Sequence, residues 1–95
     1  MKSAYAIGHI SVKDPEKWTR YRDSVPATLK PWGGELMLRG KLSTILSGQH
    51  AHQDTVVIRF PDITALHHWH ASAEYQSLIP LRLEAAEVDL LAFEE

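Results

Sequence analysis

Apolar and polar residues alternate in four segments of the chain, and this alternation predicts four β-strands. The first strand covers residues 4–12, and its small or apolar positions fall on one face. The second begins at Glu35, the third at Thr55 and the last at Val88. Gly40 permits a bend or bulge in the second strand, and residues 42–46 offer a continuation of its pairing.

Helical spacing occupies the two regions between these strands. Asp14 is a typical N-cap, and Pro15 suits the first position of a helix because its missing N–H costs nothing there. Apolar residues then recur every three or four positions to residue 32, Pro26 predicts a kink or restart near residues 24–25, and residues 33–34 end the helix. A second helix is predicted over 63–71, and a further segment starts after Ser72, with Pro80 as an irregularity.

The predicted order is strand, helix, strand, strand, helix, strand, which is typical of an α+β ferredoxin-like domain over residues 1–95. One face of each strand is apolar, so we expect an antiparallel sheet with the helices packed on that face. The apolar sets are Ala4/Ala6/Ile10, Leu36/Leu38, Val56/Ile58/Phe60 and Val88/Leu90/Ala92. The opposite, mixed faces carry Tyr5/Ile7/His9, Glu35/Met37/Arg39, Val57/Arg59 and Asp89/Leu91/Phe93.

These mixed faces are too apolar to be left in water and too charged for a dry core. A second copy of the chain, laying its own sheet on this surface, would bury the apolar side chains and pair the charges. We therefore expect a homodimer. The alternative is a monomer in which this face of the sheet is exposed to solvent, as antiparallel sheets allow.

Composition indicates one ordinary globular domain, with 44% hydrophobic and 23% charged residues in 95 positions. The chain has no cysteine, which excludes disulfides, thiolate metal sites and a cysteine nucleophile. The apolar run near the N-terminus is interrupted by His9 and too short for a signal peptide, and nothing approaches the roughly 20 apolar residues of a membrane helix. We expect a cytoplasmic protein with no membrane partner.

Charge is distributed unevenly along the chain. Residues 1–41 hold eight Lys/Arg and four Asp/Glu, whereas residues 74–95 hold one Arg and six Asp/Glu. This pattern suits an anionic ligand or a second copy of the chain, but it lacks the dense basic stripe that binds phosphate backbones, so no nucleic acid is expected.

His9, Arg39 and Arg59 fall on the mixed faces and are expected to converge over the sheet. An imidazole exchanges protons near neutral pH, and a guanidinium can recognise a carboxylate or an enolate, so His9 and Arg39 are the candidate catalytic residues. The alternative for the arginines, favoured for Arg59, is an interface ion pair.

Aromatic and cationic residues on the helices supply candidates for ligand binding. Tyr75 and Arg82 are polar candidates, and Tyr21 and Trp69 are candidate walls of a pocket. Their alternative role is packing between helix and sheet, in which a buried tyrosine hydroxyl still needs a partner.

Six histidines raise the question of a metal site. Only His67 and His70 have helical spacing that would let them bind one metal ion together. A zinc site needs three or four convergent ligands, so no metal is expected. The sequence also has no Ser-His-Asp spacing and no phosphate loop, and we expect no cofactor.

The order and spacing of short motifs across nearly the whole chain resemble the domain-of-unknown-function family 1330, part of the dimeric α+β barrel superfamily. These motifs are Asp14-Pro15-Glu16, Tyr21, Val25-Pro26-Ala27-Thr28, Gly33-Gly34, Leu38-Arg39-Gly40, Gly48, Val57-Ile58-Arg59-Phe60-Pro61, Ala65, Trp69, Ser72-Ala73-Glu74-Tyr75-Gln76 and Leu81-Arg82. The chain departs from the family at Lys41, where a second glycine is usual, and at residues 70–71, where an aromatic-acidic pair is usual.

The resemblance implies a ferredoxin-like protomer and a homodimer with facing sheets. Relatives of this architecture include cofactor-free monooxygenases, muconolactone-type isomerases, haem-degrading enzymes and ligand sensors. We expect a homodimer that binds a small anionic, carbonyl-bearing or aromatic metabolite. If it is an enzyme, the expected reaction is proton transfer or isomerisation, with His9 as the acid-base group and Arg39 stabilising an enolate. The alternatives are oxygen or haem chemistry, and a noncatalytic sensing or assembly module.

Overall fold

The computed structural model describes residues 2–95 as one antiparallel sheet with helices on one side. The elements in chain order are β1 (Ala4–Val12), α1 (Pro15–Leu29), a 3-10 turn (Lys30–Trp32), β2 (Glu35–Lys41), β3 (Asp54–Phe60), α2 (Ile63–Ala71), α3 (Ala73–Gln76), α4 (Ile79–Ala85) and β4 (Ala86–Glu94). The strand order is β2-β3-β1-β4, with every neighbouring pair antiparallel. The predicted ferredoxin-like α+β fold is confirmed.

Helix α1 begins where the capping residues predict. The Asp14 carboxylate accepts the Lys17 N–H at 3.2 Å, and Pro15 occupies the first turn. A restart near Pro26 does not occur, because α1 is continuous to its end at residue 29. A proline removes one helical hydrogen bond, and the apolar stripe that packs α1 on the sheet offsets this loss. The chain then leaves the 3-10 turn through Gly33, whose φ of 70° is left-handed.

A single serine separates the next two helices. The Ser72 N–H donates to the Trp69 carbonyl at 3.1 Å and closes α2, while the Ser72 hydroxyl accepts the Tyr75 N–H at 3.2 Å and opens α3. The predicted N-cap at Ser72 is confirmed. Its effect is to turn the chain sharply, so that Trp69 and Tyr75 both enter the core.

The core lies between the helices and the side of the sheet that we call the helix face. Its largest fully buried side chains are Phe60, Trp69 and Tyr75. Close packing extends to Gly34, where a Cβ atom would lie 2.9 Å from side-chain atoms of both Leu29 and Phe60. The glycine is therefore required by space at this position.

A β-bulge in β2 reverses the faces of the residues that follow it. Leu36 lies opposite Ile58, but Leu38 lies opposite Val57, so one extra residue is inserted between the two leucines. Leu38 consequently lies on the side of the sheet away from the helices, which we call the open face, and Arg39 lies on the helix face opposite Val56. The predictions that Leu38 packs under the helices and that Arg39 lies on the mixed face are both wrong.

Strand β2 also ends earlier than the alternation suggests. Its regular pairing stops at Lys41, and Leu42 adds one backbone hydrogen bond, from its N–H to the Gln53 carbonyl at 2.7 Å. Residues 42–46 do not continue the strand.

The open face carries large apolar side chains that the helices of the same chain do not cover. Met37, Leu38, Leu91 and Phe93 are each between 45% and 51% exposed. This is the surface on which the sequence predicts a second copy of the chain.

Candidate functional site

A cavity of about 440 Å³ lies between α1 and the helix face of the sheet. Most of its lining is apolar and comes from residues of α1 and of all four strands. Gly8 lies in the floor of the cavity, where a Cβ atom would be 3.0 Å from Val56 Cγ1 and 3.6 Å from Leu90 Cδ1. The absence of a side chain at Gly8 therefore helps to keep this space open.

Two tyrosine hydroxyls meet at the wall of the cavity, although the residues lie on different helices. The Tyr21 and Tyr75 Oη atoms are 2.9 Å apart, and both residues are buried. Arg82 on α4 donates from Nη1 to Tyr75 Oη at 2.8 Å. Tyr21 and Tyr75 line the cavity, whereas Arg82 lies behind Tyr75, outside the lining.

The environment of Tyr21 keeps its hydroxyl protonated. Burial raises the pKa of Tyr21 far above its ordinary value of 10.0, the neighbouring Tyr75 raises it further, and the Arg82 charge partly opposes the change. The hydroxyl at this wall is therefore a hydrogen-bond donor at neutral pH and cannot serve as a base.

Trp69 contributes an aromatic wall with its polar atom already paired. Its Nε1–H donates to Thr28 Oγ1 at 3.0 Å, and the Thr28 hydroxyl donates in turn to the Val25 carbonyl at 2.6 Å. The indole packs against Tyr75, with ring centroids 4.3 Å apart. A ligand beside Trp69 would thus meet an apolar ring surface.

Charged residues line the more exposed part of the cavity. Arg39 and Lys41 are exposed on β2, Arg22 is half-buried on α1, and Asp54 on β3 is the one carboxylate in the lining formed by residues 2–95. Lys41 and Asp54 are cross-strand partners. The rim of the cavity therefore carries a net positive charge.

The structure brings Tyr21, Trp69 and Tyr75 together around this cavity and places Arg39 at its rim. It separates His9 from them. His9 pairs across the strands with Thr55, and its Nδ1 lies 3.1 Å from Thr55 Oγ1 on the open face. The expected convergence of His9 with Arg39 does not occur, because the bulge in β2 turns Arg39 to the opposite side of the sheet.

On the open face, His9 belongs to a cluster of imidazoles. Its ring centroid lies 4.9 Å from that of His50 and 6.4 Å from that of His52. His52 in turn lies 2.9 Å from Ser11 Oγ and 2.7 Å from Asp89 Oδ2, which ties the loop after β2 to the sheet.

Arg59, the other arginine of the predicted convergence, donates from Nε to Ser3 Oγ at 3.2 Å. Its strand neighbours are Tyr5 and Glu35, so it lies near the opposite end of the open face from the imidazole cluster.

The rim residues Arg22, Lys41 and Asp54 are not among the site residues predicted from the sequence. Arg22 follows Trp18 by four residues and precedes Val25 by three, so helical spacing alone could have placed it on the buried side of α1. No comparable signal existed for Lys41, since its face depends on the bulge. The pairing of Thr28 with Trp69 is also absent from the local patterns, because the two residues are far apart in sequence.

Within residues 2–95, no three or more His, Cys, Asp or Glu side chains are arranged to hold a metal ion. His67 and His70 therefore have no third potential metal ligand beside them in this range. Burial lowers the pKa of His70, and the charges of Arg82 and His67 lower it further. In the same range no helix has both the length and the apolar character needed to cross a bilayer.

Comparison with known proteins identifies a family model, described as Domain of unknown function (DUF1330), that matches residues 3–95. No protein with a curated description matches the sequence.

Solved structures share the fold at low sequence identity. A protein of unknown function from Rhodopseudomonas palustris has a TM-score of 0.82 at 12% identity, covering 99% of this chain and 82% of its own. SnoaB, a cofactor-independent oxygenase from Streptomyces nogalater, has a TM-score of 0.71 at 10% identity, covering 98% and 92%. A dimeric protein of unknown function with a ferredoxin-like fold, from Bacteroides fragilis, has a TM-score of 0.59 at 10% identity, covering 98% and 96%.

Proposed function

Since the chain belongs to the family described as Domain of unknown function (DUF1330), which carries no activity in its name, we propose a function from the cavity itself. The protein is a homodimer, and each protomer binds one small, largely apolar metabolite between α1 and the sheet. The metabolite carries a carbonyl or anionic group.

The observation that carries this proposal is the cavity of about 440 Å³ with an apolar lining and a hydroxyl pair in its wall. Ligand sites in proteins usually have volumes of roughly 300–1,000 Å³ and combine apolar surface with a few polar groups that fix orientation. Trp69 and Trp18 supply flat aromatic surface in the lining, which favours a planar ligand.

Charge at the rim supports an anionic or electron-rich group on the ligand. Arg22, Arg39 and Lys41 outnumber Asp54 among the charged lining residues. A guanidinium recognises a carboxylate or an enolate oxygen through two parallel hydrogen bonds. Arg39 is therefore assigned to the polar end of the ligand.

The open face supports the homodimer. Its half-exposed apolar side chains form a surface that a second sheet can bury, as in two-fold assemblies of sheet proteins. A solved structure with the same fold is described as dimeric. In such an assembly the cavity stays on the helix side of each sheet.

Cofactor-free isomerisation is the reaction that this lining supports best. Asp54 replaces His9 as the group that accepts a proton from the carbon next to the ligand carbonyl, and returns it at another carbon. Arg39 stabilises the enolate formed between the two transfers.

A second candidate, cofactor-free oxygenation, is favoured by the fold similarity to an oxygenase of that kind. Oxygen uptake with 1,4-dihydroxynaphthalene, measured against a protein-free control, distinguishes oxygenation from isomerisation.

Thermal denaturation with a panel of planar aromatic acids and ketones tests the binding proposal. At 100 times its Kd, a ligand such as 2-naphthoate stabilises the fold by about 2.7 kcal/mol, a rise in Tm of roughly 11–22 °C. Gly8→Val, which fills the floor of the cavity, should abolish this rise. Unchanged melting curves across the whole panel contradict the proposal.

A matched pair of ligands tests the assignment of Arg39. Arg39→Met should weaken 2-naphthoate binding and leave 2-acetylnaphthalene binding nearly unchanged, because only the carboxylate pairs with the guanidinium. Equal weakening of both ligands would instead indicate that Arg39 acts only through packing.

A further inference from the structure

The three polar groups at the cavity wall form a hydrogen-bond chain whose direction can be deduced. Arg82 is a donor without an acceptor atom, so its 2.8 Å contact with Tyr75 Oη uses a lone pair of that oxygen. The Tyr75 hydroxyl still has its own proton to donate.

Tyr75 is fully buried, and a buried hydroxyl proton without an acceptor is costly. Among residues 2–95, the only hydrogen-bond partners of Tyr75 Oη are Arg82, which cannot accept, and Tyr21 at 2.9 Å. Tyr75 must therefore donate to Tyr21. The opposite direction would leave the Tyr75 proton buried and unpaired.

Tyr21 is consequently left with a proton that no other group within residues 2–95 accepts. The residue lines the cavity, and its raised pKa keeps the proton in place. Hydrogen bonds that form a chain from a charged donor also polarise one another, which strengthens the last donor.

We propose that Arg82 is a positioning residue which, through Tyr75, presents the Tyr21 hydroxyl proton to a carbonyl or enolate oxygen of the ligand. This inference rests on the proposed binding function and deepens it. The chain Arg82→Tyr75→Tyr21 selects ligands with an acceptor oxygen over hydrocarbons of the same shape.

A matched pair of rigid ligands isolates the single contact. Fluorenone and fluorene have nearly the same planar shape, but fluorenone has a carbonyl where fluorene has a methylene group. One hydrogen bond from Tyr21 predicts that fluorenone binds about 10-fold tighter. The infrared carbonyl stretch of bound fluorenone should also move to lower frequency than in an apolar solvent, because a hydrogen bond weakens the C=O bond.

Three variants locate the source of this preference. Tyr21→Phe should make the two affinities equal and remove the infrared shift. Arg82→Met should reduce the preference severalfold while Tyr21 is still present, since the direction of the chain is no longer fixed. Arg82→Lys, which keeps a cationic donor, should retain most of it. Fluorene affinity serves as the folding control, because it reports an intact cavity without using the hydroxyl.

The outcomes separate this inference from the binding proposal. If both ligands bind wild-type protein with equal affinity, or if Tyr21→Phe keeps the fluorenone preference, the donor role of Tyr21 is wrong and the cavity remains a binding site. An unchanged preference in Arg82→Met overturns the positioning role of Arg82. If neither ligand binds, the cavity does not take planar aromatic molecules, and the binding proposal fails together with the inference.

Discussion

Removing the hydroxyls of Tyr21 and Tyr75, singly and together, measures how strongly the hydrogen-bond chain holds the core. Tyr21→Phe leaves the Tyr75 proton without an acceptor at a fully buried position, which should cost about 1–3 kcal/mol of unfolding free energy. Tyr75→Phe leaves Tyr21 and the half-buried Arg82 without their partner. We expect a loss of about 1–2 kcal/mol for this variant, because Arg82 can turn toward water.

The double variant should lose much less than the sum of the two single losses. Replacing both partners of a buried hydrogen bond by apolar groups of the same shape removes the unpaired atoms that make each single change costly. We therefore expect a coupling free energy of about 1 kcal/mol or more between Tyr21 and Tyr75. An effect of this size is measurable, since a small domain is stable by only about 5–15 kcal/mol.

Urea denaturation followed by tryptophan fluorescence and far-UV circular dichroism provides the free energies. All variants need the same protein concentration, because association contributes to apparent stability, and unchanged m-values show that the same surface is exposed on unfolding. Ser24→Ala is the control, since the Ser24 hydroxyl donates to the Arg20 carbonyl at an exposed site on α1, away from the cavity lining and the open face, and its loss should change the unfolding free energy by less than about 0.5 kcal/mol. Additive losses from the two cavity tyrosines would refute the hydrogen-bond chain.

Three further predictions test other parts of the molecule. Gly34→Ala should cost about 1–3 kcal/mol in urea denaturation, because its Cβ would crowd the core; unchanged stability would contradict that packing. The pKa of His70 is lowered in the folded protein, so the unfolded chain binds a proton at higher pH and stability falls as the pH decreases through 6.5. His70→Gln should lessen this fall by roughly a few tenths of a kcal/mol. An unchanged dependence of stability on pH would contradict this role of His70. Phe93→Lys on the open face should yield monomers in sedimentation velocity at micromolar concentration. The control Leu83→Lys, at an exposed position of α4, should still form dimers. A monomeric wild-type protein would contradict the proposed dimer interface.

Local patterns in the sequence were sufficient to predict the elements and their order. The side chains of Asp14 and Ser72 cap the helices that their positions predict, because a cap depends only on residues a few positions away. Pro26 shows the limit of such local rules. The helix does not restart there, because the packing of the whole helix on the sheet outweighs one lost hydrogen bond.

The cavity depends on distant residues and could be predicted only in part. Helical spacing predicts that Tyr21, Trp69 and Tyr75 lie on the inner sides of the helices, but it does not predict their hydrogen-bond partners. A single inserted residue before Leu38 moved Arg39 to the helix face. Because side chains alternate strictly along a strand, an unnoticed bulge inverts every assignment beyond it.

The position of the ligand is tested most directly by the indole N–H signals in a two-dimensional ¹H–¹⁵N spectrum. The chain has three tryptophans, of which Trp18 and Trp69 line the cavity, while Trp32 packs beside His68 with ring centroids 5.5 Å apart and lies outside the lining. Single Trp→Phe variants assign the signals. Titration with 2-naphthoate should shift the signals of Trp18 and Trp69 and leave that of Trp32 in place. A shift confined to Trp32, or to backbone signals of the open face around His9, would contradict a binding site between α1 and the sheet.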